Sequence, residues 1–312
     1  MAVLRIGTRG SALARWQADR VGDLLAARGV EAAFVPIRTS GDATAGRRRA
    51  GLAVKGLFTK EIEQALLDRR VDIAVHSLKD LLLELPPGLV IAAVPEREDP
   101  RDALVTRDGR SLLELEPGAR IGTSSLRRRA AVASQRPDVE VVPLVGNVTT
   151  RVKRVEEGSV DAAVLALAGL KRLRLDGHAV PLDPAVFVPA PGQGALAVEA
   201  RADDDRVLEI IAPLDDMRVR HAIEAERSAL AGLGSGCNVP VGAHASWTGR
   251  TLTLQVAVYA PDGGEPLRVQ VPVKPNDPAA GGAMAAARLL EAGASALMVS
   301  GQSRRPNSEA SA

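Results

Sequence analysis

Three strand-to-helix junctions in the sequence combine small residues with arginine. They are Ile6-Gly-Thr-Arg-Gly-Ser11, Ile121-Gly-Thr-Ser-Ser-Leu-Arg-Arg-Arg129 and Gly146-Asn-Val-Thr-Thr-Arg151. The first turn of a helix presents free N–H groups and the positive end of the helix dipole, so it attracts anions. Arginine adds a planar fork that fits carboxylates and phosphates. Each junction alone could be a capped helix with solvated arginines, but the three together favour a cleft for a ligand with several negative groups.

A carboxylate and an ammonium group follow an apolar segment that is predicted to be a strand. Asp80 and Lys79 end the segment His76-Ser-Leu-Lys-Asp80, directly after Val71–Val75. Open α/β sheets bind ligands at this end of their strands. Asp80 could therefore act as a general acid or as a counter-charge for a cationic intermediate. The alternative for this pair is a helix cap or a structural ion pair.

The only cysteine, Cys237, lies in the turn Gly234-Ser-Gly-Cys-Asn-Val-Pro240. A lone cysteine is more often an inert buried residue, but a glycine-flanked turn exposes its side chain. A nucleophile or a covalent attachment point is therefore a plausible role for Cys237. One cysteine forms no intrachain disulfide, and the four scattered histidines have no metal-ligand spacing, so no metal is expected.

The composition excludes several classes of function. The 312 residues carry a net charge of +2, so no general field for nucleic acid or membranes is expected. Aromatic residues make up 2% of the chain, too few for the stacking surfaces of a single-strand binder. No apolar run reaches about 18 residues, and the N-terminus has no signal-peptide pattern. We therefore expect a soluble cytoplasmic protein of about two domains.

Alternating apolar strands and amphipathic helices must position these groups. They predict βαβ units with a parallel sheet, followed after Met217 by a smaller α+β unit. Ile6-Gly-Thr is echoed by Ile121-Gly-Thr, which suggests two similar α/β domains facing each other, although such turns prefer these residues anyway. The glycine-rich and arginine-rich segment 39–55 is typical of a mobile binding loop. The predicted strands are 3–6, 33–37, 71–75, 120–122, 139–142, 162–167, 195–199, 251–258 and 267–273. The predicted helices begin at Ser11 or span 59–69, 124–136, 147–157, 219–230 and 278–291.

Eight segments in the same order resemble the hydroxymethylbilane synthase (porphobilinogen deaminase) family. They are IGTRGSALARWQ (6–17), KGLFTKEIEQALL (55–67), DIAVHSLKD (72–80), EREDPRDALV (96–105), IGTSSLRRRA (121–130), LALAGLKRL (165–173), PAPGQGALAVE (189–199) and GSGCNVPVGAHA (234–245). The resemblance implies two similar α/β lobes like type II periplasmic binding proteins and a small C-terminal α+β domain. The implied domains are 1–95 with 195–214, then 100–190, then 217–312, in a monomer.

The resemblance also implies the chemistry. The family condenses four porphobilinogen molecules, with loss of ammonia, into linear hydroxymethylbilane for tetrapyrrole and heme biosynthesis. It does so on a covalent dipyrromethane cofactor, and the motif match places the thioether at Cys237 and the catalytic carboxylate at Asp80. Departure of ammonia leaves a cationic azafulvene that a carboxylate can stabilise. No metal, nucleic acid or membrane partner is implied.

Each pyrrole carries acetate and propionate, so arginine forks and helix N-termini are the matching receptors. The implied cofactor-binding residues besides Cys237 are Lys79, Ser125, Arg127, Arg128, Thr123, Ser124, Asp42, Gly146 and Asn147. The implied substrate-binding residues are Arg9, Ser11, Lys55, Arg151, Arg172 and Gln193.

Three positions depart from the family pattern. Val145 replaces an arginine before Gly146-Asn147, Ala53-Val54 replaces glycines before Lys55, and Leu81-Leu82 replaces Val-Pro after Asp80. They motivate the alternative of an impaired or non-catalytic paralogue that binds pyrrole carboxylates. A remote alternative is a solute-binding module, which would explain two lobes but not Cys237.

Overall fold

The computed structural model describes residues 3–39, 59–234, 240–261 and 263–300. Its strands are β1 (Leu4–Thr8), β2 (Ala32–Pro36), β3 (Ile73–Ser77), β4 (Leu89–Ala93), β5 (Asp102–Thr106), β6 (Arg120–Gly122), β7 (Glu140–Val142), β8 (Ala162–Ala166), β9 (Ala179–Pro181), β10 (Leu196–Arg201), β11 (Val241–Thr248), β12 (Thr251–Val258) and β13 (Leu267–Val273). Its helices are α1 (Ala12–Ala26), α2 (Lys60–Leu67), α3 (Leu126–Gln135), α4 (Val148–Glu156), α5 (Leu167–Arg172), α6 (Asp205–Ile211), α7 (Met217–Gly232), α8 (Pro278–Glu291) and α9 (Ala294–Ser300).

Two five-stranded sheets have the same topology. Lobe 1 contains the sheet β2-β1-β3-β10-β4, and lobe 2 contains the sheet β7-β6-β8-β5-β9. Ile6 of β1 pairs with Ile73 of β3, and Ile121 of β6 likewise pairs with Ala162 of β8. The two Ile-Gly-Thr segments therefore occupy equivalent central strands. This confirms the prediction of two similar α/β lobes, each with helices packed on its sheet.

The prediction of a parallel sheet is wrong for one strand in each lobe. β10 runs antiparallel to β3 and β4, and β5 runs antiparallel to β8 and β9. Both strands enter their sheet from the segments that cross between the lobes, Glu96–Arg101 and Pro189–Ala195. Because no helix crossover precedes them, nothing requires a parallel direction.

The C-terminal unit consists of the antiparallel sheet β11-β12-β13 with α7 and α8 packed on it. The two helices approach very closely at Gly282, where an added Cβ would lie 2.3 Å from the Ala225 carbonyl oxygen. Only glycine fits there. The prediction of a small α+β unit after Met217 is confirmed, but α9 follows the helix that was expected to be the last.

Buried polar contacts fix this unit against the lobes. Glu226 of α7 is fully buried and accepts hydrogen bonds from Arg97, from the Gly192 N–H and from the Ala245 N–H, with shortest distances of 2.7 Å each. One carboxylate therefore joins both crossing segments to the C-terminal unit. No helix within the described ranges is long and apolar enough to cross a membrane.

Several helix and strand boundaries differ from the predicted ones because of helix capping and side-chain burial. Ser11, Ser125 and Asn147 are N-caps, so α1, α3 and α4 begin one residue after them. The strand predicted at 71–75 lies at Ile73–Ser77, because Val71 is buried in the preceding turn against Gly7 rather than in the strand. Strands β4, β5, β9 and β11 and helices α5 and α6 were not predicted.

Candidate active site

A narrow cleft between the lobes is lined by four cationic side chains. Lys79 follows β3, whereas Arg128, Arg151 and Arg172 project from α3, α4 and α5. The cavity holds about 80 Å³, and Gln17 and Ser77 add neutral polar groups. Gln17 donates to the Ser77 hydroxyl at 2.7 Å. Residues from both lobes therefore build one site, as expected for a ligand with several negative groups.

The turn that presents Lys79 and Asp80 is anchored by its apolar neighbours. A single 3-10 turn, Leu78–Asp80, follows β3 directly. Leu78 and Leu81 are fully buried on either side of the two charged residues. Lys79 is consequently half-buried in the cleft, while the Asp80 side chain is exposed. The carboxylate is therefore accessible to a ligand.

Gln193 connects two other predicted site residues, Lys79 and Arg128. Its Oε1 accepts hydrogen bonds from Lys79 Nζ and from Arg128, each at 3.2 Å. Burial, together with the nearby Arg128 charge, lowers the pKa of Lys79 to about 8. Burial also lowers the pKa of Arg151 to about 10, with the Arg128 charge acting in the same direction. These cations repel one another and are poorly hydrated. An anionic ligand would offset both the charge repulsion and the cost of desolvation.

Asp102, which sequence reasoning did not assign, is the counter-charge beneath the cleft. It is fully buried, with Arg127 at 2.7 Å, Arg128 at 2.9 Å and the Gln193 amide donating at 2.8 Å. Burial alone would raise its pKa, but the two arginines hold the pKa well below its usual range. The segment Arg101-Asp-Ala-Leu-Val105 offered one signal, since a charge that opens an apolar strand must be paired.

Arg127 and Arg128 therefore differ despite being neighbours in sequence. Arg127 donates to the Val188 carbonyl at 2.8 Å and pairs with Asp102, and it does not line the cavity. Arg128 donates to Asp102 and to the Val164 carbonyl but also reaches the cavity. Because successive residues of a helix point in different directions, Arg127 faces the protein interior whereas Arg128 faces the cleft.

Arg172 is held in place by an aromatic ring. Its guanidinium lies 5.4 Å from the centre of the Trp16 ring and donates to the Gly194 carbonyl at 2.7 Å. The Arg172 Nε is buried and has no hydrogen-bond partner. Gly194 has φ +89°, and a Cβ there would lie 2.2 Å from the Glu98 carbonyl oxygen, so only glycine allows this close approach. Arg172 thus has unused hydrogen-bonding capacity beside the cavity.

The small polar residues of the three junctions cap helices. Ser11, Ser125 and Asn147 accept backbone N–H groups of their own helices at 3.3, 3.4 and 2.8 Å. The capped-helix interpretation thus holds at each junction, alongside the cations that reach the cleft from two of them. Thr123 accepts a hydrogen bond from the Ser125 N–H, and Ser124 donates one to the Leu144 carbonyl. The Gly146 carbonyl, at a residue with φ +117°, accepts a hydrogen bond from Arg151 Nε. Arg9 is half-buried in the turn before α1.

Three predicted site residues, Asp42, Lys55 and Cys237, lie outside the described residues. The predicted loop 39–55 does so as well, except for Thr39. Among the residues that the structure describes, Lys79, Arg151 and Arg172 form no ion pair with a carboxylate. The cleft therefore carries positive charge that is available to carboxylates of a ligand.

Removing the charge of Asp102 should destabilise the fold strongly. Asp102→Asn leaves Arg127 and Arg128 buried without a counter-ion, so we expect the free energy of unfolding to fall by about 3–5 kcal/mol. Urea denaturation measures this. Asp108→Asn removes an exposed carboxylate that pairs with Arg110, and the unfolding midpoint of this control should hardly change. A midpoint in Asp102→Asn equal to that of the control would contradict the pairing.

The lowered pKa of Lys79 gives a second prediction. Between about 8 and 10.5, the unperturbed lysine value, the folded protein binds fewer protons than the unfolded chain. Stability therefore rises with pH across this window, whereas below pH 8 the buried charge opposes folding fully. In cofactor-free protein, Lys79→Met should lack this rise in Tm. The exposed Lys60→Met control should keep it, and equal pH slopes in both variants would refute the assignment.

Comparison with known proteins adds independent findings. Residues 4–209 match the family model for the dipyrromethane cofactor binding domain of porphobilinogen deaminase, and residues 221–291 match the model for its C-terminal domain. The porphobilinogen deaminase of Syntrophotalea carbinolica is 48% identical over 300 residues, with 95% of each chain covered. That of Desulforudis audaxviator is 49% identical over 298 residues, which cover 94% of this chain and 96% of the relative.

Among solved structures, the periplasmic VFT2 domain of Bordetella pertussis BvgS aligns with a TM-score of 0.41 and 14% identity. The alignment covers 68% of this chain and 86% of that domain. The two family models together cover both lobes and most of the C-terminal unit, in the order in which the eight sequence segments occur. The chain therefore belongs to the porphobilinogen deaminase family.

Proposed function

We propose that this chain is a transferase that condenses four porphobilinogen molecules, with loss of ammonia, into linear hydroxymethylbilane. Such a product serves tetrapyrrole and heme biosynthesis. The observation that carries the proposal is the cleft lined by Lys79, Arg128, Arg151 and Arg172. The accessible carboxylate of Asp80 lies within electrostatic reach of the first three of these cations. Membership of the family supplies the identity of the substrate.

The cleft residues fit a dipyrromethane cofactor. Its two pyrroles carry acetate and propionate groups. The cavity offers Lys79, Arg151 and Arg172, which have no carboxylate partner among the residues that the structure describes, as well as the unpartnered Arg172 Nε. When bound, the cofactor supplies the terminal pyrrole position to which substrate is joined. We propose Cys237 as its covalent attachment point. Its remaining contacts would come from Lys79, Arg128, Thr123, Ser124, Ser125, Gly146, Asn147 and Asp42. Arg127, predicted for the same role, would act indirectly through its pair with Asp102.

A second group of residues would hold the carboxylates of the incoming porphobilinogen. Arg151 and Arg172 enter the same cavity from α4 and α5, so they can grip two carboxylates of one small ligand. The Trp16 ring and the Gly194 carbonyl both contact the Arg172 guanidinium and help to orient it. Holding the substrate at fixed points converts an encounter between two molecules into a local reaction. The full proposed set is Arg9, Ser11, Lys55, Arg151, Arg172 and Gln193.

Asp80 would carry the chemical step. As ammonia leaves porphobilinogen, positive charge develops on the pyrrole, and a fixed carboxylate stabilises that charge. The same oxygen can accept a hydrogen bond from the pyrrole N–H and take up a proton afterwards. Lys79 and Arg128 lie close enough to influence this carboxylate electrostatically.

The intact mass of the denatured protein tests the proposal. We expect a mass excess of two linked pyrrole units, and on incubation with porphobilinogen we expect release of ammonia and hydroxymethylbilane. A loaded protein that releases no product would indicate the impaired paralogue, for which Val145 is the motivation. Val145 is exposed where the family carries a receptor arginine, so Val145→Arg should then restore turnover. A protein that remains unmodified after incubation would indicate a non-catalytic paralogue or the solute-binding alternative.

We also propose the domain limits 1–95 with 195–214, 100–190 and 217–312. The two sheets, and the insertion of β10 into the first of them, support this division. A monomer that works in the cytoplasm is the matching proposal for its assembly and location. Sedimentation of the purified holoenzyme and cell fractionation test these two statements.

A further inference from the structure

The turn that carries Asp80 is held from the C-terminal unit as well as from its own lobe. Leu78 and Leu81, which flank Lys79 and Asp80, pack in one cluster with Ile223 of α7. Leu83 packs against the core of the C-terminal unit. The residues on both sides of Asp80 therefore pack against α7 and the core of the C-terminal unit.

Arg227 of α7 holds the backbone directly after this turn. Its guanidinium donates to the Leu82 carbonyl at 2.6 Å and to the Leu83 carbonyl at 2.8 Å. Burial lowers the pKa of Arg227. Arg227 is half-buried, and among the described residues it has no carboxylate partner, so the two carbonyl groups are the hydrogen-bond acceptors that its guanidinium contacts. Partial burial of a charge without a counter-ion opposes folding, so stability alone does not explain Arg227.

The same helix connects the two reacting parts of the proposed function. At one side α7 holds the segment that follows Asp80, and it ends at Gly232, shortly before Cys237 in the chain. Glu226, the neighbour of Arg227, holds both crossing segments through Arg97 and Gly192. A displacement of the 81–83 segment would therefore move Asp80 relative to the C-terminal unit, which contains the proposed attachment residue, Cys237.

We propose that Arg227 is a positioning residue that fixes Asp80 relative to the pyrrole chain attached at Cys237. The inference rests on the proposed function. Arg227 acts through the Leu82 and Leu83 carbonyls and does not enter the cavity. Because catalysis by a fixed charge depends steeply on its position, loosening this clamp affects the chemical step more than substrate binding.

Arg227→Met tests the inference in the holoenzyme. We expect kcat to fall by about tenfold or more, since a misplacement of about 1 Å can reduce the rate by about a hundredfold. KM for porphobilinogen should stay within about twofold, because the cavity cations remain. Arg227→Lys keeps the charge but reaches fewer carbonyls, so its kcat should lie between those of the wild type and Arg227→Met.

Arg220→Met is the matched control on the same helix. Arg220 also donates to two backbone carbonyls, those of Ile91 and Ala92, and pairs with Asp215, but it does not contact the Asp80 turn. Its Tm should fall at least as far as that of Arg227→Met, while its kcat stays within about twofold of wild type. Unchanged kcat in Arg227→Met, or equal kcat losses in both variants, would overturn the positioning role.

Failure of the proposed function would be seen separately. Wild-type protein is measured first for its mass excess and for release of ammonia from porphobilinogen. If the wild type is loaded and active, the comparison between the Arg227 and Arg220 variants tests only the positioning role, because the proposed function already holds. If the wild type neither loads nor turns over, the proposed function fails, and with it the role for Arg227.

Discussion

Asp80→Asn should lower kcat for porphobilinogen turnover by about 10²–10⁴-fold, the range for loss of a positioned proton-transfer or charge-stabilising group. Asparagine keeps the size of the side chain but removes the negative charge and the proton acceptor. Because the cavity cations remain in place, KM should change much less than kcat. Steady-state kinetics of the purified variant measures both constants.

The fold of Asp80→Asn should survive, because the Asp80 side chain is exposed. Surface substitutions without special contacts usually change stability by at most about 0.5 kcal/mol. Asp68→Asn in the same lobe is the matched control, since Asp68 is also exposed but follows α2 instead of facing the cleft. The control should keep wild-type kcat. Near-normal turnover in Asp80→Asn would remove Asp80 from the mechanism.

Cys237→Ala should leave no covalent pyrrole on the protein and should abolish turnover. The chain has one cysteine, so no other thiol can form the thioether. Cys237→Ser should also stay unmodified, because a hydroxyl is a far weaker nucleophile than a thiol at neutral pH. Intact mass after incubation with porphobilinogen, and after incubation with preformed hydroxymethylbilane, measures the loading.

Ser235→Ala controls for general damage to the 234–240 segment. It changes a residue two positions away from Cys237 and should load to the wild-type mass. A covalent chromophore that persists in Cys237→Ala would place the attachment elsewhere. If Ser235→Ala also failed to load, disruption of the 234–240 segment rather than loss of the thiol would account for both variants.

Much of the fold was predictable because local rules agree with the tertiary structure. The capping residues Ser11 and Asn147 mark the starts of α1 and α4, and the strands 251–258 and 267–273 match β12 and β13. The alternating pattern of these two strands reflects one buried face. β5 was missed because a short strand that is buried on both faces has no alternating pattern, and β9 was missed because a three-residue edge strand is too short to show one.

The candidate site was only partly predictable. The cations Lys79, Arg128, Arg151 and Arg172 were all predicted, and the fold brings them to one cavity. Asp102 was not assigned, although it holds Arg127 and Arg128. Its importance comes from complete burial beside two charges, and burial depends on segments far apart in the chain.

The sequence by itself determined the family, the two lobes and the set of residues with the right chemistry, because motifs and periodic patterns are local. Only the tertiary structure decided which arginine faces the cleft and which faces the interior, and why the pKa of Lys79 is low. It also showed that α7 reaches across to the turn of Asp80 through Arg227. These features depend on distances and dielectric environment between residues that lie 26 to 145 positions apart, which spacing along the chain does not encode.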